Sequence, residues 1–220
     1  MNLPNKLTIL RMIMIPFFVF FILAGFIPYN NYIALGIFAL ASLTDMLDGK
    51  IARKRNLVTN FGKFMDPLAD KLLVVTALLC LLIVDGGQRM CSNQIVALIA
   101  VLIVVAREFV ISGFRLVASD NGVVIAASMW GKFKTATTMV AICLMIVVNE
   151  LSEVAPFFKE LTMILFWVAI TLTIVSLVDY VVKNWNVMFA ADKEVKPSKE
   201  ENKETDNTPK FDPNTGEPLQ

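Results

Sequence analysis

Six apolar stretches, separated by short polar segments, run along the first 190 residues of the chain. Each has about 20 residues, which is enough for a helix to cross the hydrocarbon core of a bilayer. The predicted spans are 7–27, 32–52, 64–84, 94–117, 133–149 and 159–183. Because backbone N–H and C=O groups must be paired inside a bilayer, we predict that every span is a helix. The pattern therefore predicts an all-α integral membrane protein with six transmembrane helices.

The last part of the chain has a different composition. Residues 191–220 are rich in Lys, Glu, Asp, Asn, Thr and Pro and contain few large apolar side chains. Such a segment buries too little apolar surface to offset the entropy lost on ordering. We therefore divide the chain into a membrane domain at 1–190 and a polar tail at 191–220, which we expect to be disordered.

Charge adds an orientation to this picture. Only 18% of the residues are charged, against about 25% in ordinary soluble domains. Basic residues crowd the segment between the second and third spans, namely Lys50, Arg53, Lys54, Arg55 and Lys63. Since cytoplasmic loops carry the excess of Lys and Arg, this segment and both termini are predicted to be cytoplasmic. The chain contains no histidine, which excludes histidine-based catalysis and imidazole metal ligands, and no nucleic-acid partner is expected.

Four aspartates lie at the predicted cytoplasmic ends of the second and third helices. Asp45 and Asp48 are spaced i, i+3, and Asp66 and Asp70 are spaced i, i+4, so each pair falls on one side of its helix. Carboxylates are costly near a bilayer and usually face a cavity, an ion or a relay. Together they predict an all-oxygen site suited to a hard divalent cation. Pro67 directly follows Asp66, so we expect the third helix to begin near it.

The segment that holds these aspartates has a recognisable pattern. Between Asp45 and Asp70 the sequence reads DMLDGKIARKRNLVTNFGKFMDPLAD, or D-x2-D-G-x2-A-R-x8-G-x3-D-x3-D. At every fixed position it resembles the signature of the CDP-alcohol phosphatidyltransferase family of membrane enzymes. The resemblance implies six transmembrane helices around a cytoplasm-facing polar cavity, a bacterial cytoplasmic-membrane location and a homodimer.

The resemblance also implies roles for single residues. One or two Mg²⁺ or Mn²⁺ ions would be held by Asp45, Asp48, Asp66 and Asp70. Asp70 would in addition be the catalytic base that takes a proton from the acceptor alcohol. The CDP group would lie near small or basic residues and near the start of the first helix, at Gly49, Ala52, Arg53, Gly62, Asn5 and Thr8. Asn5 and Thr8 could equally cap the first helix.

Three further segments bear on the acceptor. LPNKLTILRM at 3–12, AREFVISGFR at 106–115 and GKFKT at 131–135 resemble stretches of the phosphatidylglycerophosphate synthases within that family. They imply CDP-diacylglycerol and glycerol 3-phosphate as substrates. A phosphorylated acceptor needs fixed cations, and the candidates are Arg107, Arg115, Lys132 and Lys134. Three of these, Arg115, Lys132 and Lys134, could instead be basic residues at helix ends. We interpret Glu108 as an ion-pair partner of a neighbouring arginine.

Alternative functions remain open at the level of sequence. A related enzyme could use inositol phosphate, serine or another alcohol as acceptor. A divalent-cation transporter is a remote alternative, since it needs polar groups reaching the site from both sides. We expect no matching polar group within the helices of the external half. A scaffold without catalytic activity is disfavoured by the four intact aspartates.

Overall fold

The computed structural model of the chain describes residues 3–55, 60–120 and 129–190. Within these ranges, the side chains of 3–4, 45–64, 66–67, 117, 119–120 and 185–190 are outside the description. The described residues form six α-helices, which are α1 (Leu3–Leu23), α2 (Asn30–Arg55), α3 (Asn60–Val84), α4 (Gln94–Asp120), α5 (Met129–Val154) and α6 (Phe157–Ala190). No strand occurs in these ranges, so the all-α prediction is confirmed for them. The predicted tail at 191–220 lies outside the described residues.

The helices differ in how much apolar length they offer to a membrane. Four segments are long and apolar enough to cross one, namely Asn5–Leu23, Gln94–Leu116, Met129–Val154 and Phe157–Asn184. The apolar part of α2, Asn30–Thr44, is shorter. Among the described residues a membrane-spanning helical bundle is therefore supported, while the count of six spans stays a prediction.

Helices α2 and α3 extend further than the sequence predicted. The segment 52–63 was expected to be a polar connector, but α2 continues to Arg55 and α3 already begins at Asn60. Pro67 therefore lies seven residues inside α3 rather than in its first turn, and the expectation about its position was wrong. The physical reason is that an apolar run marks only the part of a helix in hydrocarbon. A helix can continue into water or headgroups, where charged side chains are solvated.

The helices pack around one apolar core. Helix α1 packs on α2 and α3, α4 on α3 and α6, and α5 on α2 and α6. In the core the rings of Phe18 and Phe38 lie 5.8 Å apart between centroids. Ile22 and Leu81 are also fully enclosed. This packing holds the ends of α3, α4 and α5 together at the place where the polar residues discussed below lie.

The turn between α3 and α4 is fastened to the middle of α5 by a buried arginine, which we call the Arg89 clamp. Its Nε donates to Asp85 Oδ2 at 2.9 Å. Its Nη1 donates to the backbone carbonyls of Met145 and Ile146 at 3.1 and 2.8 Å. Only 5% of Arg89 is exposed, so the pairing of its guanidinium compensates for the cost of removing it from water. The clamp joins the α3–α4 turn to α5 at the end opposite the predicted site.

A second polar contact lies in the half of the bundle predicted to be external. Asn31 of α2 donates through Nδ2 to Glu150 Oε1 of α5 at 2.5 Å. The sequence did not predict this pair within helices. The reason is again helix length, because α2 begins and α5 ends beyond the predicted spans. Along these two helices, buried apolar residues such as Phe38 and Ile142 follow the pair, which gives no support to a polar transport path.

Candidate active site

The four predicted metal-ligating aspartates lie on two helices that pack together. Asp45 and Asp48 belong to α2, and Asp66 and Asp70 belong to α3. Helical backbone at all four positions keeps each pair on one side of its helix. The carboxylate oxygens of such a set suit Mg²⁺ or Mn²⁺. Only Asp70 has a described side chain, which is half-buried, and the described side chains contain no cluster of three potential metal ligands.

The predicted CDP-binding residues fall on α1, α2 and α3. Gly49, Ala52, Arg53 and Gly62 are helical, but their side chains lie outside the described residues. Asn5 and Thr8 of α1 are buried, with 8% and 0% of their surface exposed. They are spaced i, i+3 and therefore share one face of the helix. Since both belong to α1 itself rather than to a position before it, the helix-cap alternative receives no support.

A small cavity adjoins Asp70 between α3, α4 and α5. Its polar lining consists of Asp70, Lys71, Glu108, Lys134, Thr135 and Thr138. The volume is about 20 Å³, roughly the room of one water molecule. The cavity thus brings the predicted base together with one of the predicted acceptor-binding cations, Lys134. Two carboxylates, two ammonium groups and two hydroxyls meet around it.

Glu108 links two of the predicted cations. Its Oε1 accepts a hydrogen bond from Lys134 Nζ at 2.5 Å and another from Arg107 Nη1 at 3.0 Å. The second terminal nitrogen of Arg107 donates to Ser176 Oγ of α6. Lys134 and Arg107 are only 2% and 7% exposed. We call these four side chains the Glu108 network, and it connects α4, α5 and α6.

The other two predicted acceptor-binding cations lie elsewhere. Arg115 is exposed, and its guanidinium carbon sits 6.0 Å from the centroid of the Tyr180 ring. Lys132 is exposed as well. Neither contributes to the lining of the cavity, and Arg107 stands behind Glu108 rather than in that lining. Of the four cations, the structure brings only Lys134 into the cavity wall beside Asp70.

Several site residues were missed by sequence reasoning. Lys71 lines the cavity, and its only sequence signal is its place directly after Asp70. Arg11 is completely buried on the same face of α1 as Asn5 and Thr8. It was not chosen as a site residue, although it lies in the segment 3–12 that carries the resemblance, three residues after Thr8. The position of Ser176 beside Arg107 carried no sequence signal, because 69 residues separate the two.

Comparison with known proteins agrees with the signature. The sequence model of the CDP-alcohol phosphatidyltransferase family matches residues 1–175. A Bacillus subtilis protein named CDP-diacylglycerol–glycerol-3-phosphate 3-phosphatidyltransferase is 40% identical over 199 residues, covering 85% of this chain and 97% of the relative. Relatives of the same name from Rickettsia felis and Haemophilus influenzae are 40% and 39% identical, each over 81% of this chain and over 93% and 91% of the relative. The chain therefore belongs to the CDP-alcohol phosphatidyltransferase family.

Proposed function

We propose that this protein transfers the phosphatidyl group of CDP-diacylglycerol to sn-glycerol 3-phosphate. The products are phosphatidylglycerol phosphate and CMP, which makes the reaction a step of phospholipid biosynthesis. The structural observation that carries the proposal is the cavity that Asp70 and Lys134 share. A carboxylate beside a buried ammonium group suits an acceptor that has both a hydroxyl to deprotonate and a phosphate to hold. The relatives align with most of the chain, and their names support the same reaction.

In the proposed mechanism Asp70 is the general base. Its carboxylate takes the proton from the 1-hydroxyl of glycerol 3-phosphate. The resulting oxygen nucleophile attacks the β-phosphorus, which bears diacylglycerol, and forms the new P–O bond. The bond from that phosphorus to the bridging oxygen breaks, and CMP leaves with its electron pair. Positioning of this kind contributes much of the rate in phosphoryl transfer.

Lys134 holds the acceptor by its phosphate in this mechanism. Its ammonium group lies in the cavity wall, and a phosphate there would receive a charge-assisted hydrogen bond. Arg107, Arg115 and Lys132, which lie outside the cavity lining, would add positive charge that attracts the acceptor phosphate. Glycerol 3-phosphate would thus be oriented with its hydroxyl toward Asp70.

The nucleotide half of the site would be formed by α1, α2 and α3. Asp45, Asp48, Asp66 and Asp70 would hold one or two divalent cations, Mg²⁺ or Mn²⁺, which neutralise the charge of the diphosphate when bound. The buried face of α1 that carries Asn5 and Thr8 supports a place for the CDP group beside these helices.

We also propose that the six helices span the bacterial cytoplasmic membrane as a homodimer. The active site and both termini would face the cytoplasm. The basic residues next to the aspartates support this orientation, since positively charged segments are retained on that side. Gln88 is an exposed residue of the α3–α4 turn. A cysteine placed there should react with a membrane-impermeant thiol reagent added to intact cells. Labelling only after permeabilisation would reverse the orientation.

An acceptor panel tests the reaction. Purified protein in lipid nanodiscs is given CDP-diacylglycerol and Mg²⁺ or Mn²⁺, and CMP release is measured with glycerol 3-phosphate, inositol phosphate or serine. We expect release with glycerol 3-phosphate and its loss when EDTA is added. The proposal would be overturned if no acceptor led to CMP release, or if only an acceptor other than glycerol 3-phosphate did. CMP release in the presence of EDTA would refute the role of the divalent cation.

A further inference from the structure

Glu108 occupies an unusual place among the charged side chains of the bundle. It receives hydrogen bonds from two cations on one oxygen, and it also forms part of the cavity wall beside Asp70. The proposed mechanism uses Lys134 but gives no role to Glu108. Its position between Lys134 and Arg107 therefore calls for an explanation.

Electrostatics explains why the two cations need a shared anion. Lys134 and Arg107 are both almost completely buried, and like charges close together in a medium of low dielectric constant repel each other strongly. A single carboxylate between them compensates this repulsion but leaves the group with one net positive charge. That remaining charge is what an acceptor phosphate entering the cavity would meet.

Geometry explains why Glu108 can fix the direction of Lys134. A lysine side chain has four rotatable bonds and no preferred contact of its own. Here its Nζ is held 2.5 Å from Glu108 Oε1. Glu108 is itself held by Arg107, and Arg107 is held from behind by Ser176 of α6. The direction of the ammonium group is thus set by a chain of contacts that ends on another helix.

We propose that Glu108 is a positioning residue for the acceptor phosphate, acting through Lys134. It holds the ammonium group toward the cavity, and Arg107 and Ser176 keep Glu108 in place. Glu108 does not touch the reacting atoms. The inference rests on the proposed function, because it assigns the acceptor phosphate to the Lys134 side of the cavity.

The test compares two carboxylates that each accept a hydrogen bond from another helix, Glu108 of α4 and Glu150 of α5. Glu108→Gln removes the charge of the network, and Glu150→Gln is the matched control at the opposite end of the bundle. KM for each substrate and kcat are measured in nanodiscs. We expect Glu108→Gln to raise KM for glycerol 3-phosphate about tenfold or more, the scale of one charge-assisted hydrogen bond. KM for CDP-diacylglycerol should change less than twofold, and Glu150→Gln should leave both values unchanged.

A double-mutant cycle separates positioning from general stabilisation. If Glu108 acts through Lys134, Glu108→Gln should add little to the KM increase already caused by Lys134→Met. Full additivity, or an equal rise in both KM values, would overturn the inference. Ser176→Ala keeps both charged partners and should raise KM for glycerol 3-phosphate by a few fold. This variant decides the matter if Glu108→Gln does not fold, because an unchanged KM would then refute the inference. An inactive wild type would refute the proposed function instead.

Discussion

Replacing Lys134 by methionine isolates the contribution of one buried ammonium group. Methionine keeps the apolar length of the side chain but removes the ammonium group that donates a hydrogen bond to Glu108 Oε1 at 2.5 Å. The lysine side chain is only 3% exposed, so bulk water does not compensate the loss. Glu108 becomes less well paired, although it keeps Arg107 at 3.0 Å.

The expected magnitudes follow from this geometry. Breaking a buried ion pair costs about 3–5 kcal/mol when the remaining charge is left alone. Because Glu108 retains Arg107, we expect a smaller loss in the free energy of unfolding, about 1–3 kcal/mol. A lost charge-assisted hydrogen bond to the acceptor phosphate is worth about 1.5–3 kcal/mol. This predicts a fall in kcat/KM for glycerol 3-phosphate of about 10- to 150-fold.

Lys183→Met is the matched control for this experiment. Lys183 also pairs with a carboxylate, Asp179, at 2.6 Å, but its side chain is 64% exposed. Exposed pairs contribute about 0–1 kcal/mol, so its removal should change little. Turnover is measured by CMP release, and stability by thermal unfolding in detergent. Equal effects of the two substitutions, or an unchanged kcat/KM in Lys134→Met, would refute the argument that burial makes Lys134 important.

Two further predictions concern the base and the turn after α3. Asp70→Asn should reduce kcat by about 10²- to 10⁴-fold, the usual range for a general base, without changing the elution volume of the protein; a wild-type rate would exclude Asp70 as the base. Gly87→Ala should lower the free energy of unfolding by about 2–4 kcal/mol. Gly87 has φ of +80°, and a Cβ there would lie 2.7 Å from Ala97 Cβ and 2.9 Å from Leu82 Cδ1. Gly113→Ala, where a Cβ meets nothing within 4 Å, is the control in thermal unfolding and should be neutral or stabilising; equal losses would contradict the steric explanation.

The helices were predictable because their signal is local. Apolar runs identified all six helices that the structure describes, since a long apolar segment has few other ways to satisfy its backbone. Their ends were less predictable. The charged segment 52–63 was interpreted as a connector, because hydropathy does not distinguish a solvated helix from a loop. The structure shows helix over most of that segment.

The site was predictable where its residues are close in sequence. The aspartate signature lies within one stretch of the chain, and its fixed spacing identified the family. The four side chains of the Glu108 network come from three helices, and Lys134 is 26 residues away from Glu108. Such contacts depend on tertiary packing, and a single sequence does not show which distant residues pack together. The roles of Lys134 and Arg107 as acceptor-binding residues remain predictions, to which the structure adds their shared carboxylate.

The Arg89 clamp has a mechanical consequence for the cavity at the other end of the bundle. It joins the α3–α4 turn to α5, and these are the three helices that line the cavity. Asp70 lies 14 residues from Val84, the last residue of α3 before the turn, or about 21 Å at 1.5 Å per residue. With that end pinned, a tilt of about 5° moves the Asp70 end of the helix by about 2 Å. We therefore expect the water-sized cavity to widen for a substrate through small rotations of α3 about the end that Arg89 holds.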